Sequence, residues 1–418
     1  MVPLLFYPIL LFSVVNGMDR NDLTSIIVST IALSVTFAFL RTKVSLFRNH
    51  FPSFFLYHLL LRCVVLGVTP AFSDDIYRYL FDAKLLFYGE DPYQLTPNQW
   101  LLEHPNFFEQ TKSFVTKMNS PDYISVYPLF LLSIFVLGTL LNDLIHTSFL
   151  GIQLLFLTFD LLNLILIRRF YPKESFSFYW VYFANPLVIV EGVSQLHPEI
   201  LFLPWLLFLI RFQKNRILGF GFFILTQIKL TTTIFLLAFL KKSKSVFVLL
   251  GFGFVSLLIW KWTVFANWES QGNRGIGLFF HSFRFAGILE PFFYFPFHKL
   301  GLSYLSGIFS LICFGLINLS VFLQPKFQKA NMEKKLLFVY FSFLLFSPVI
   351  HSWYWIPFVV LGMCSRIPFR WQVFVVSLGF FSYIIYVSEI FFYLYWVYSL
   401  LGLCIYVRTE IDYFRQAT

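Results

Sequence analysis

The stretch TSFLGIQLLFLTFDLLNLILI, residues 147–167, runs straight into Arg168 and Arg169. A helix crossing the hydrocarbon core of a bilayer needs ~20 predominantly apolar residues at a rise of ~1.5 Å each. This segment meets that demand and ends in a basic pair. Working outward, comparable apolar runs cover 23–40, 54–71, 176–193, 200–210, 246–265, 302–323, 336–350, 355–364, 373–387 and 390–407. Composition agrees: 58% of the 418 residues are hydrophobic, 12% are charged, and Phe alone occurs 59 times. A soluble chain is typically ~25% charged and ~45–50% apolar. These values exclude an ordinary soluble enzyme, because so much apolar surface cannot be hidden within one fold. The expectation is an all-α, polytopic transmembrane bundle of about 11–14 membrane helices, residues 1–418 forming a single integral membrane domain with no soluble domain. The run at 2–15 lacks the basic lead and small-residue cleavage site of a signal peptide, so it reads as a retained first span.

Charge supplies the orientation. The net charge of +10 is scattered between apolar runs rather than clustered, which speaks against a nucleic-acid partner. Loops holding Arg41/Lys43/Arg48, Arg168/Arg169/Lys173, Arg211/Lys214/Arg216, Lys241/Lys242/Lys244, Lys326/Lys329/Lys334/Lys335, Arg366/Arg370 and Arg408/Arg415 collect the cations. By the positive-inside bias these loops are cytoplasmic. The opposite side receives most carboxylates, among them Asp74, Asp75, Asp82, Glu90, Asp91, Asp122, Glu191, Glu199, Glu269 and Glu290. Two segments resist a simple in–out count. With 72–124 an external loop and Arg168 inside, one of two apolar runs between them must not cross, and 126–141 is expected to be interfacial or re-entrant. The segment 216–240 has basic loops at both ends. It is expected to enter and return as a pair of short helices, with Lys229 at the turn facing a cavity. Cys63, Cys313, Cys364 and Cys404 show no metal-type spacing and read as small buried hydrophobes.

Two charges fall inside apparent spans. Arg62 and Asp160 each sit about 10–12 Å deep from the cytoplasmic end of their runs. Unpaired, either would be costly, so a mutual ion pair joining the two helices is expected.

Chemistry concentrates in the external loop. It opens Ser73-Asp74-Asp75-Ile76-Tyr77-Arg78-Tyr79-Leu80-Phe81-Asp82. In a helix, Asp75, Arg78, Tyr79 and Asp82 share one face. Two acids beside Arg and Tyr at a membrane surface can deprotonate a hydroxyl and hold a phosphate or a sugar. The same Ser-Asp-Asp is also what a helix cap and first turn favour. Residue chemistry alone leaves both readings open.

The loop resembles the first external loop of the GT-C superfamily of membrane glycosyltransferases. More narrowly, it is similar to the bacterial polyprenyl-phosphate-sugar-dependent, mannosyltransferase-like branch, which usually reads Asp-Asp-Ile-Tyr-Arg-Tyr-Leu-Trp-Asp-Gly and then Gly-x-Asn-Pro-Tyr. Here Phe81, Ala83 and Asp91 replace Trp, Gly and Asn, and Gly89, Pro92 and Tyr93 are kept. Further resemblances follow in the branch's order: Tyr127-Pro128-Leu129, Asn185-Pro186-Leu187, Lys229-Leu230 and His351-Ser352-Trp353-Tyr354. The branch's Gly-His-Asn-Asp is present loosely, as Leu196-His197-Pro198-Glu199.

The resemblance implies transfer of a hexose, by family habit mannose, from a polyprenyl-phosphate donor to a hydroxyl of a glycan or glycolipid acceptor. The reaction would run with inversion on the external face of a bacterial cytoplasmic membrane. Asp75 would be the general base, with Asp74 close behind it. Arg78, Tyr79, Asp82, Tyr93, His197, Glu199, Lys229, Arg284 and His351 would contact substrate, the cations offsetting charge on the departing phosphate. Each has a plainer reading: Lys229 as a snorkelling lysine, His351 as part of an aromatic belt, Arg284 as ordinary loop, His197 and Glu199 as caps. No cofactor is assigned; Mg²⁺ or Mn²⁺ on the paired acids is left open. The competing class is a transporter or flippase of lipid-linked sugars. Against it stand a single interrupted segment and one long acidic loop, where transporters often repeat such breaks in both halves.

Overall fold

A computed structural model describes residues 2–47, 50–105, 109–212, 215–240, 243–267 and 283–416. Among the sequence candidates, Glu269, Arg48, Lys214, Lys241 and Lys242 lie outside the described residues. The described chain is helical without β-strands. Its nearest approach to a sheet is an isolated bridge from Phe285 and Ala286 to Val349.

Among the described residues, five helical segments are long and apolar enough to cross a membrane: Leu23–Arg41 (α2), Leu150–Phe170 (α8), Lys244–Trp262, Leu305–Leu323 and Phe369–Val387. Shorter apolar helices include Leu129–Leu144 (α7), Arg216–Ile228 (within α11), Leu230–Phe239 and Ser352–Cys364. The full-length spans are therefore fewer than the apolar runs suggested, since several runs are broken into short helices. The run at 176–193 is one of these. Helix Phe176–Phe183 (α9) gives way to a π-helical turn, Val188–Ser194, bent by 44°. Pro186 has no N–H to continue α9, and Asn185 Oδ1 instead accepts from the Leu187 N–H at 3.0 Å. The run at 54–71 likewise yields only Phe51–Cys63 (α3) before the chain unwinds toward the external loop.

The surface is inverted relative to a soluble protein. On α2, Val28, Ile31, Val35 and Phe39 point outward while Ser29, Thr30, Ser34 and Thr36 are buried. On Leu305–Leu323, Ile308, Leu311, Ile312, Leu316 and Leu319 are exposed and Ser306, Ser310 and Asn318 are inside. Apolar side chains facing lipid, with small and polar residues between helices, are the pattern of membrane bundles. The same inversion corrects the reading of the cysteines. Cys63 and Cys404 are exposed and only Cys364 is buried, because lipid removes the pressure to turn a small apolar residue inward. α7 and α8 approach closely through glycine: a Cβ on Gly138 would meet Ile152 at 2.6 Å.

Charged residues sit at both ends of the bundle. At one end the Arg41 guanidinium covers the Phe369 ring at 4.2 Å, Arg168 covers Phe51 at 4.8 Å, and Arg366 pairs with Glu174. At the other, Arg20 faces Tyr386 at 5.4 Å and pairs with Asp74 at 2.6 Å. α2 and Phe369–Val387 thus run antiparallel. Between the ends, Arg62 and Asp160 form the expected ion pair, both fully buried.

Candidate functional site

The acid-rich loop begins where the chain is pinned by two buried glutamines. Gln153 of α8 donates from Nε2 to the carbonyls of Val68 and Ser194, and its Oε1 accepts from the Gly67 N–H. Gln195 Oε1 accepts from the N–H groups of Ala71 and Phe72, each at 2.9 Å. The start of helix Asp75–Phe87 (α4) is thereby fixed against the segment that carries His197 and Glu199. The sequence reading passed over both glutamines, although a polar side chain within an apolar run is itself a signal.

Asp74 occupies the cap position of α4 but makes no capping bond. It is held instead by Arg20, whose second nitrogen donates to the Phe72 carbonyl at 3.3 Å. Asp75 begins the helix half-buried. Its backbone N–H is taken by Ser73 Oγ, and its carboxylate accepts from Asn119 Nδ2 at 3.3 Å. Among the described residues no cation pairs with Asp75. Of the two acids it is the one left available to take a proton.

The predicted shared face of α4 exists, but its members divide. Tyr79 lies with Asp75, its ring 4.7 Å from Tyr127 and stacked on Phe135 at 4.3 Å. Burial raises its phenol well above the ordinary range, and the charges of Asp75 and Glu199 add to this, so it is a neutral hydroxyl. Arg78 and Asp82 turn to one another. Arg78 Nε donates to both Asp82 oxygens at 2.9 Å, and Nη1 donates to the carbonyls of Ser120 and Tyr123. Burial pushes the Asp82 carboxyl up, against the pull of the guanidinium. Tyr93 is equally engaged, its hydroxyl donating to the Tyr127 carbonyl at 2.7 Å. These three side chains close the loop upon itself.

α11 (Asn215–Ile228) stops and Lys229 takes an extended conformation (φ −151°, ψ 123°) before the 3-10 helix Leu230–Phe239. Its ammonium pairs with Glu199 Oε1 and stands 3.6 Å above the Tyr354 ring. The lysine side chain is 24% exposed; Glu199 is buried, with Oε2 unpartnered. Tyr354 is placed by Tyr340, whose hydroxyl donates to its carbonyl at 2.7 Å. Lys229, Glu199 and Tyr354 thus bring three separate stretches of sequence together. His351 and His197 flank the same place, stacked on opposite sides of Trp353 at 4.3 and 3.6 Å. Burial, with His197 and Lys229 nearby, holds the His351 imidazole well below its ordinary pKa, so it is neutral.

Arg284 is not brought to this centre. Its neighbours Phe283 and Phe285 stack on His351, while its guanidinium turns to Glu290, Ser303 and Ser306. His281, beside it in sequence, lies outside the described residues. The acids also make a poor divalent-cation site. Asp74 is spent on Arg20, and the described residues contain no group of three or more His, Cys, Asp or Glu able to hold a metal. Mg²⁺ asks for octahedral oxygen ligation, so no step below is routed through a metal.

The arrangement offers an uncommitted carboxylate, a cation over an aromatic ring, a neutral imidazole at His351 and neutral phenols. Together these can remove a proton from a hydroxyl and steady a developing anion. No curated protein and no solved structure matches the chain. Residues 8–257 match the family described as alpha-(1->6)-mannopyranosyltransferase, N-terminal domain. That span covers more than half of the sequence and contains Asp74, Asp75, His197, Glu199 and Lys229, and the chain belongs to this mannosyltransferase family.

Proposed function

We propose that the protein transfers a mannosyl group from a polyprenyl-phosphate donor to a hydroxyl of a glycan or glycolipid acceptor, on the non-cytoplasmic face of a bacterial inner membrane. The observation that supports this reading is the Lys229–Glu199 pair set over the Tyr354 ring, together with an Asp75 that no cation pairs with among the described residues. In the reaction, the Asp75 carboxylate takes the proton of the acceptor hydroxyl as its oxygen attacks the anomeric carbon. The bond from that carbon to the phosphate oxygen breaks, and the polyprenyl phosphate leaves with the electron pair. Configuration inverts, and the proton rests on Asp75. A phosphate is already a competent leaving group, so it needs charge stabilisation rather than a strong acid. Lys229, at an irregular break between short helices, suits that role, since such backbone at membrane depth is tolerated where it lines a cavity.

Sidedness rests on the charge bias. The Arg41, Arg168 and Arg366 end is placed in the cytoplasm, so loop 72–124 is external, 126–141 stays at that interface, and 216–240 enters and returns. A donor carried on lipid answers the absence of nucleotide sugars outside the cytoplasm.

The test is purified protein in liposomes given radiolabelled mannosyl polyprenyl phosphate and candidate glycolipid acceptors. A new mannosidic product is expected from the lipid donor and not from a nucleotide sugar. Passage of the lipid-linked sugar between leaflets without a new glycosidic bond would instead mark a flippase.

A further inference from the structure

Glu191, one of the carboxylates assigned by charge to the external side, is wholly buried on the π-helical turn. Its Oε1 accepts from the Ser352 hydroxyl at 2.7 Å and the Tyr383 hydroxyl at 2.9 Å. The His197 Nδ1 makes its hydrogen bond to the Glu191 carbonyl oxygen at 3.1 Å, and the Glu191 Oε2 lies 3.2 Å from the same nitrogen as a charge contact without hydrogen-bond geometry. A carbonyl oxygen can only accept, so the ring proton belongs on Nδ1. The other nitrogen, Nε2, then keeps its lone pair whenever the ring is neutral.

The ring has no freedom to turn. It lies 3.6 Å from Trp353 at an interplanar angle of 10°, and Trp353 in turn stacks on His351. Nε2 is buried and meets no partner in the protein. Buried polar atoms are nearly always satisfied, and one left unmet is costly. The residue before it, Leu196, is held at φ 65°, a left-handed conformation unusual for a side chain branched beyond Cβ. Backbone strain of this kind persists where the surroundings impose it and gathers at working sites.

Resting on the transfer reaction proposed above, we infer that Glu191 is a positioning residue that locks His197 with Nε2 as acceptor for one hydroxyl of the transferred sugar, making the pair a determinant of sugar specificity. A hydroxyl supplies the donor hydrogen this lone pair requires. A phosphate oxygen does not, and Lys229 is already placed for the phosphate.

The experiment compares wild type, His197→Phe and Glu191→Gln in liposomes, using the mannosyl donor and its single-deoxy analogues. Phe keeps the stacking on Trp353. Gln keeps an oxygen for the Ser352 and Tyr383 hydroxyls, and thermal melting reports that each variant folds. Wild type is expected to disfavour one deoxy donor by about 10- to 100-fold in kcat/KM. His197→Phe should lose that factor with the full donor and lose nothing further with that analogue. Glu191→Gln should reproduce part of the loss. Nitrogen NMR of the imidazole should show the proton on Nδ1 in wild type and a mixture of tautomers in Glu191→Gln. A His197→Phe enzyme that still discriminates among the deoxy donors, or a wild-type ring protonated only on Nε2, overturns the inference. A wild type inert toward the lipid donor overturns the reaction itself, while the NMR still reads whether Glu191 holds the ring.

Discussion

Two ion pairs within the apolar body of this protein contrast sharply. In Arg62–Asp160 both residues are fully buried and both carboxylate oxygens are used, one by the guanidinium and one by the Tyr182 hydroxyl at 2.6 Å. Arg62 also donates to the carbonyls of His58 and Phe183, where α9 ends. In Lys229–Glu199 the cation is a quarter exposed, lies over Tyr354, and leaves Glu199 Oε2 without a partner. A closed pair fastens helices, whereas an open one keeps capacity for a ligand. Arg62 Nη2 also meets no partner, so the difference lies in access: of the two cations only the Lys229 ammonium is exposed enough for a ligand to reach.

The largest expected effect falls on the acid left available to take a proton. Asp75→Asn should lower transfer by about 10²- to 10⁴-fold with melting unchanged, the usual range for a lost general base. Next comes the closed pair. Arg62→Met alone should cost about 3–5 kcal/mol of stability by stranding Asp160. An Arg62→Met, Asp160→Leu double variant should recover most of the melting temperature and retain transfer. Lys229→Met should lower kcat by about 10²- to 10³-fold, and adding Glu199→Gln should relieve stability without restoring rate. If the Lys229 variant merely melts earlier at full activity, the contrast between the pairs fails. The smallest effect belongs to the partly exposed Arg20–Asp74 pair. Arg20→Gln should change stability by about 0–1 kcal/mol and transfer by less than tenfold, read from melting and initial rates.

Much of this was legible in the residues. Length and apolarity pointed to the helical membrane bundle, and the Arg62–Asp160 pair followed from the cost of burying either charge alone. The loop motif marked Asp75, and Lys229 stood out as an ionisable residue between short apolar stretches. What stayed hidden depended on distance in sequence. Arg78 and Asp82 share a helical face with Tyr79, and periodicity cannot show that they bind each other and the Ser120–Tyr123 backbone. Arg284 has the right chemistry, but Glu290 and Ser306 draw it away. Arg20, lone and set between Asp19 and Asp22, and Gln195, beside an apolar run, acquire meaning only once the fold brings them to Asp74 and to the Ala71–Phe72 backbone. Glu191 was obscured by the π-helical turn, which no helical repeat predicts.

The central claim is that Asp75 is the base and that the Lys229–Glu199 centre receives the phosphate it displaces. Single-turnover transfer by Asp75→Asn and wild-type protein, in matched liposomes with saturating lipid donor and acceptor, tests it most directly. A rate at least about 10²-fold lower in the variant, with equal melting and equal donor binding, is the expected result. Equal rates in the two proteins would contradict it.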